Sequence, residues 1–338
     1  MSAATPYDNT SLSLSSTEHP PHRNYLGGHS KRARSVSPLG NDRVVSVSDD
    51  NSVIVWKLRP KTQERRWDHK GAMSVAVSHD GKYVVSGGRD GDLHLWDVES
   101  GDNLSGPWKL HKDKVWSVTW SPDGSRIASC SEDSEFIIWN AHPDSPTGKP
   151  SVGPISTEQN AVYTIAYCPM GTKLATGGRD STIKIWDAET GLLQVTLDGH
   201  IRSVSSVALT RDIVISGSLD RTVRVWDISN SEQKAVKAMS KIIIPDPAAI
   251  IPDPTAIKHI AVSEHFFATA SYDYIYLGSL TTYELLAVPF EFPKGDEPNC
   301  IAISGDEGTM IACTERGKVY TWNIGKITPA FVSARNLL

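Results

Sequence analysis

Apolar side chains fall on every second position in many short stretches of the chain, as in SVTW (117–120), RIASCS (126–131) and FIIW (136–139). A period of two is that of a strand with one face buried and the other turned to water. Between these stretches lie tetrapeptides ending in glycine, namely SHDG (78–81), SPDG (121–124) and CPMG (168–171). Glycine adopts positive φ without steric cost, so each tetrapeptide predicts a hairpin turn between antiparallel strands. No convincing helical stretch competes with this pattern, and the expected fold class is all-β.

The pattern repeats. SVSDDNSVIVWKL, SGGRDGDLHLWDV, SCSEDSEFIIWNA, TGGRDSTIKIWDA and SGSLDRTVRVWDI superpose without gaps, each with an aspartate six residues before a tryptophan. The tryptophans are Trp56, Trp96, Trp139, Trp186 and Trp226, separated by 40, 43, 47 and 40 residues. A four-stranded propeller blade needs roughly 40–45 residues. A sixth tryptophan, Trp322, follows in KVYTWNI after a gap of 96 residues, too long for a structureless loop in a compact domain. A degenerate blade is therefore expected there, with strands at 256–262, 266–271, 272–280 and 284–288 and with Gly278 or Ser279 in the tryptophan's place. The count comes to seven, and the expected architecture is a seven-bladed β-propeller of four-stranded antiparallel blades with the sixth and seventh degenerate. A ring of sheets must close or leave raw edges. The seventh repeat supplies only three strands, so the N-terminal segment around 22–26 is expected to add the fourth.

The GH, SPDG, S-x-x-x-D and WD pieces, repeated in phase over 25–323, resemble the WD-repeat family of β-propellers. The wording WDAETG and SPDGSRIAS is similar to WD-repeat arrays of fungal proteins, and a stand-alone propeller is the expectation. The resemblance implies a buried tetrad in each blade, formed by a histidine leading in, a serine or threonine in the second strand, an aspartate in the next turn and the tryptophan of the third strand. Matched residue by residue, four tetrads are complete: His29, Ser46, Asp50, Trp56; His69, Ser86, Asp90, Trp96; His111, Ser129, Asp133, Trp139; and His200, Ser216, Asp220, Trp226. The fourth blade carries Glu158 at the histidine's place beside Thr176, Asp180 and Trp186. The sixth keeps Thr269 and Asp273, while the seventh has Ala312 and Arg316 and retains Trp322.

Histidine, serine and aspartate in one unit invite comparison with a hydrolase, since acyl transfer needs a nucleophile, a base and an orienting carboxylate. The same set at the same spacing in four blades argues instead for a buried polar network. GxSxG, HExxH and GxxxxGK[ST] are all absent, so no enzyme activity and no cofactor are expected. With 39% hydrophobic and 22% charged residues the 338-residue chain can build a core. The net charge of -5 offers no general attraction to nucleic acid. No apolar run is long enough to span a membrane and the N-terminus lacks a signal-peptide pattern, which leads to an expectation of cytoplasm or nucleus. Cys130, Cys168, Cys300 and Cys313 lack metal-binding spacing, so neither zinc nor a disulfide is expected. The expected organisation is a tail at 1–14, a propeller at 15–325 with an insert at 234–254 carrying the tandem IIPDP, and a tail at 326–338.

In WD-repeat propellers the lead-in loops and the aspartate-bearing turns share the top face, the usual docking surface. Two positions per blade face it on this reading. One, five residues past the histidine, gives Arg34, Ser74, Trp116, Tyr163, Ser205, Lys258 and Asn299. The other, just before the tetrad aspartate, gives Asp49, Arg89, Glu132, Arg179, Leu219, Tyr272 and Glu315. Trp116 and Tyr163 flanked by Arg89 and Arg179 combine the residue types enriched in interface hot spots. With Arg34, Glu132 and Tyr272 they form the expected partner-binding set of a monomeric, non-catalytic scaffold for proteins or peptides. The rival expectations are an adaptor for phosphorylated or otherwise modified tails and, more remotely, a hydrolase.

Overall fold

The computed structural model describes residues 23–141, 148–229, 240–242, 256–272, 274–282 and 290–325. These residues form strands and no helix, arranged as seven four-stranded antiparallel sheets. Blade one comprises Ala33–Leu39, Arg43–Ser48, Ser52–Lys57 and Thr62–Asp68. Blade two runs from Ala72–Val77 to Asn103–Lys109, blade three from Val115–Trp120 to Pro150–Ser156, and blade four from Val162–Tyr167 to Leu193–Leu197. Blade five runs from Val204–Leu209 to Ser240–Ile242, and blade six comprises His259–Val262, Phe266–Ala270, Tyr274–Ser279 and Phe290–Glu291. The first strands of successive blades touch one another in a closed circle, so they line the axis and the fourth strands lie outermost. Gly81, Gly124 and Gly171 close their hairpins with φ of 72°, 71° and 72°.

Blade seven contains Pro298–Ile303, Thr309–Thr314 and Lys318–Asn323, and its outer strand is Asn24–Gly28. The register pairs Asn24 with Thr321 and Gly28 with Lys318, and the His29 amide extends it by donating to the Gly317 carbonyl at 2.8 Å. The two ends of the ring are thus laced together, two residues further along than the 22–26 expected; His22 lies outside the described residues. Two other boundaries differ. Ser240–Ile242, placed in the insert on sequence grounds, pairs with the third strand of blade five, Arg224 opposite Ile242. The outer strand of blade six is Phe290–Glu291, paired with Ile275 and Tyr274, whereas 284–288 lie outside the described residues, as do the IIPDP repeats, 1–14 and 326–338.

There is no single core. The buried apolar residues fall into seven clusters, each bridging two neighbouring blades. The tetrad tryptophans are central to these layers: Trp96 of blade two stacks on Trp67 of blade one at 5.4 Å, and Trp186 of blade four meets Phe136 of blade three at 5.1 Å. Polar stitches complement the apolar contacts. The amides of Val75, Val118, Val207 and Ile260 donate to hydroxyls of Ser35, Ser74, Thr164 and Ser206 on the preceding blade, at 3.4, 3.1, 3.1 and 3.0 Å.

Blade six solves the loss of its tryptophan locally. Gly278 stands opposite Phe267, as each tetrad tryptophan stands opposite the corresponding residue of the second strand. A Cβ on Gly278 would lie 2.1 Å from the Phe267 ring, so the missing indole is replaced by a phenyl ring from the neighbouring strand. Phe267 is fully buried. Phe267→Ala should accordingly cost about 3–5 kcal/mol, the usual range for a large aromatic removed from a core, measured by chemical denaturation. Deleting residues 1–28 should remove the closing strand and cause aggregation or a large fall in melting temperature, whereas deleting 1–13 should leave the melt unchanged; a soluble, equally stable 1–28 deletion contradicts this closure.

Candidate functional site

Three tetrads form as expected. In blade one the Trp56 indole N–H donates to Ser46 Oγ at 2.8 Å, Ser46 Oγ lies 2.7 Å from His29 Nε2, and His29 Nδ1 lies 3.2 Å from Asp50 Oδ2. Blade three repeats this through Trp139, Ser129, His111 and Asp133, and blade five through Trp226, Ser216, His200 and Asp220. An ionised aspartate only accepts, so the histidine donates from Nδ1 and the hydroxyl donates to Nε2. The aspartate also accepts from the next lead-in amide, that of Ser30, Lys112 or Ile201. One carboxylate thereby ties the lead-in loop to the turn between second and third strands.

Blade two departs from its expected set. His69 contacts Ser86 Oγ through Nδ1 at 2.7 Å, and Trp96 donates to that hydroxyl at 2.9 Å. The carboxylate facing His69 belongs to Asp92, 3.3 Å from Nε2, and Asp90 is exposed at the turn. Blade two has two aspartates two residues apart, and spacing alone favours the one that matches the other repeats. In blade four the residue at the histidine's place is Gln159 rather than Glu158. Gln159 is fully buried, while Glu158 is exposed with a φ of 59°. Trp186 donates to Thr176 Oγ1, which donates to Gln159 Oε1 at 2.7 Å; Gln159 Nε2 donates to the Thr182 carbonyl at 2.9 Å, and the Thr182 hydroxyl reaches Asp180. A primary amide both donates and accepts, so it can stand in for imidazole. In blade six the Thr269 hydroxyl is buried and has no partner among the described residues, and Asp273 lies outside them. Blade seven substitutes a different network: Tyr320 donates to the buried Asp296 at 3.2 Å, and Asp296 accepts from the Arg316 amide.

Burial pushes the His29 and His69 pKa values below the ordinary 6.5, outweighing the nearby carboxylates. For Asp50, Asp133 and Asp220 burial acts upward, but hydrogen bonds from the hydroxyl, amide and histidine partners hold each carboxyl below the usual range.

The channel rim is shaped by one device. The first strands of six blades carry a β-bulge near their start, and the bulged residues are Arg34, Met73, Trp116, Tyr163, Ser205 and Asn299. A bulge re-aims its side chain out of the alternation. The lead-in of blade two is one residue shorter than that of blade one, so Met73 holds the bulge and Ser74 is a buried stitch to blade three rather than a rim residue. The residues before the tetrad turn are fixed by a repeated backbone bond, such as Asp49 to Arg32, Arg89 to Gly71, Glu132 to Lys114 and Arg179 to Ala161.

These two rings of positions meet in compact groups. Trp116 and Tyr163 sit edge to face at 5.6 Å; the Trp116 indole donates to Glu132 at 2.6 Å, and Arg179 bridges the Tyr163 hydroxyl and Glu132. Arg89 belongs to a separate group. Asp49 takes a two-pronged contact from Arg34, at 2.9 and 2.7 Å, and a third bond from Arg89 at 2.8 Å. Burial raises the Asp49 carboxyl, but these bonds more than offset it and hold the pKa low. A third group places Lys258 over the Tyr272 ring at 4.1 Å and 2.8 Å from Glu297, with Glu315 bonded to Arg32. The expected partner-binding residues thus lie in three self-paired groups, and of the two arginines expected to flank the aromatic pair Arg179 does so while Arg89 pairs with Asp49. The pairing of arginines with carboxylates on the adjoining blade has no signal along the chain.

The fold and these networks define a closed seven-bladed propeller whose rim is the variable surface on an otherwise repeated frame. Residues 21–57, 62–97, 104–140, 151–187 and 191–227 match the family model "WD domain, G-beta repeat", and the chain belongs to that family. It is 23% identical over 84% of its length to Protein ROOT INITIATION DEFECTIVE 3 of Arabidopsis thaliana, covering 56% of that protein. It is 32% identical over 34% of its length to Actin-interacting protein 1 of Drosophila melanogaster, covering 20% of it, and 29% identical over 30% to human Striatin-4, covering 17%. The chain thus spans about half or less of these relatives.

Asp133→Ala and Asp92→Ala should each cost about 1–3 kcal/mol by leaving a buried histidine unsatisfied, while Asp90→Ala should fall within about 0.5 kcal/mol of the parent; equal losses in denaturant melts would contradict the assignment of Asp92. The pH response has a defined sign. His29 and His69 titrate lower in the folded than in the unfolded chain, so the stability they contribute is complete above 6.5 and is lost as pH falls through their folded values. The melting temperature should therefore drop between pH 7 and 5. His29→Gln, which copies the amide of Gln159, should lessen that drop while costing less at pH 7.5 than His29→Ala.

Proposed function

We propose that this protein is a non-catalytic platform that docks other proteins or peptides on its rim, with the Trp116–Tyr163–Arg179–Glu132 group as the principal contact. The observation carrying this reading is that two aromatic residues on adjoining blades are turned onto the rim by β-bulges and held edge to face by a paired arginine and glutamate. Aromatic side chains and arginine lose little entropy on contact and dominate interface hot spots. The family is in general one of interaction scaffolds, and one relative is named for its interaction with actin. Catalysis by the tetrads is disfavoured on physical grounds, because Ser46, Ser129 and Ser216 are fully buried beneath the histidine and indole that bond them and offer no path to a substrate.

A second reading has its own observation. Lys31, Lys70 and Arg89 surround a depression of about 370 Å³ between blades one and two, beside Asp49 and Asp90. An acidic or phosphorylated tail would suit the cations, although Asp49 already neutralises Arg89 in part.

The combined substitution of Arg89, Trp116, Tyr163 and Arg179 by alanine should abolish capture of partners from a cell extract. Hot-spot truncations cost about 2 kcal/mol or more each, so two true contacts take a micromolar complex past detection. The melting temperature should change little. Substituting Lys82, Ser125 and Lys173 on the hairpin turns of the opposite face should leave capture intact, and the reverse result places the docking surface on the other face. Loss of capture by Lys31→Ala with Lys70→Ala alone would favour the acidic-tail reading.

A further inference from the structure

The departure of blade two from the shared tetrad builds something the other blades lack. The ladder of second and third strands sets Ile54, His94, Ile137, Lys184 and Arg224 opposite the tetrad hydroxyls of blades one to five. Two residues earlier stand Ser52, Asp92, Glu135, Thr182 and Thr222. Of these five, only blade two places a carboxylate and an imidazole there together, and residues two apart on a strand share one face. His69 completes the group from the lead-in loop. In blades one, three and five the histidine meets the hydroxyl through Nε2, but the His69 ring is reversed and its Nε2 points at Asp92.

The carboxylate of Asp92 consequently has one imidazole on each oxygen, His69 Nε2 at 3.3 Å from Oδ1 and His94 Nε2 at 3.4 Å from Oδ2, and the three ligand atoms lie within 4.8 Å of one another. Charge-assisted hydrogen bonds run about 2.7–2.9 Å. Donors held at about 2.0–2.1 Å around a tetrahedral ion are separated by about 3.3–3.4 Å, and each imidazole stands at that distance from its own oxygen of Asp92, with the three ligand atoms inside 4.8 Å. The ring positions are set from behind. His69 Nδ1 rests on Ser86 Oγ at 2.7 Å, His94 Nδ1 lies 2.9 Å from the Asn103 amide, and the His94 ring stacks on Trp96 at 5.5 Å and 15°. A metal-bound imidazole keeps its hydrogen on Nδ1; the Ser86 hydroxyl and the Asn103 amide can each accept it by rotation, the second-layer support such ligands receive. Room is left above the group by Gly88, where a Cβ would come within 2.3 Å of Asp92 Oδ1 and 2.6 Å of His69 Nε2. His94 and Asp92 keep 16% and 11% of their side-chain surface exposed, so an ion can enter from solvent.

We propose that His69, Asp92 and His94 form a zinc-binding site that ties the lead-in loop of blade two to its third strand, with water in the fourth position. Two imidazoles and one carboxylate suit zinc, whereas magnesium and calcium prefer all-oxygen shells. The sequence expectation of no metal rests on cysteine spacing, and these three residues come together only across the ladder.

The full chain, stripped with chelator, should bind one equivalent of Zn²⁺ in calorimetry, show the intense visible bands of low-coordinate Co²⁺ when that ion is the probe, and melt several degrees higher with zinc in large excess over its dissociation constant. His94→Phe retains the stacking on Trp96 and removes a ligand, and Asp92→Asn retains shape and removes charge. Each should weaken Zn²⁺ binding by roughly a hundredfold, taking a ligand to matter at least as much as its second-layer support, and should abolish the Co²⁺ bands. His79→Ala, on an exposed turn, should leave binding unchanged. Absence of Zn²⁺ binding at micromolar concentration, or unchanged binding in folded His94→Phe or Asp92→Asn, overturns the proposal.

Discussion

A buried hydroxyl is the constraint on which each intact blade depends. Ser46, Ser86, Ser129, Thr176 and Ser216 are all inaccessible to solvent, and each accepts an indole N–H while meeting a second polar group from the lead-in loop. An unpaired hydroxyl in such a place costs about 1–3 kcal/mol, so second strand, third strand and loop must find one another together or not at all. The indole that satisfies the hydroxyl is also the large apolar surface that packs on the neighbouring blade, as Trp96 does on Trp67. Hydrogen bonding inside one sheet therefore positions the contact between sheets.

The tolerance of this arrangement shows in how blades depart from it. Blade four substitutes an amide for an imidazole, because what the site requires is one donor and one acceptor at the right separation. Blade six leaves the Thr269 hydroxyl without a partner among the described residues and recovers the apolar contact through Phe267 lying over Gly278. Blade seven replaces the network with Tyr320 on Asp296, keeps Trp322 against Phe290 of blade six, and borrows its outer strand from the N-terminus. Packing is preserved more strictly than polar chemistry, as a closed ring demands: each of the seven apolar layers must be filled for the circle to join.

The rim follows a different logic. Its side chains neutralise one another, within a blade as Arg34 does on Asp49 and across blade boundaries as Arg89 does on Asp49 and Arg179 on Glu132. Such partly exposed pairs contribute little to folding. Their consequence is a surface in which the charged groups and the aromatic edges are already oriented by one another.

Period-two alternation, glycine turns and the aspartate-to-tryptophan spacing were enough to count seven blades, to locate the hidden sixth and to require closure by the N-terminus, since these features rest on local backbone chemistry repeated in phase. The hydroxyls and tryptophans of the tetrads were legible for the same reason. Local chemistry could not decide between Asp90 and Asp92, or between Glu158 and Gln159, because each pair offers the right group within one or two residues and only the ladder and the loop length determine which side chain turns inward. Nor could it show that Met73 and not Ser74 takes the bulge of blade two, that rim arginines are bonded to the adjoining blade, or that His69 meets Asp92 and His94. The last two kinds of contact join residues as far apart in sequence as His69 and Asp92 or Glu132 and Arg179, and their geometry exists only once the sheets have been packed around the ring.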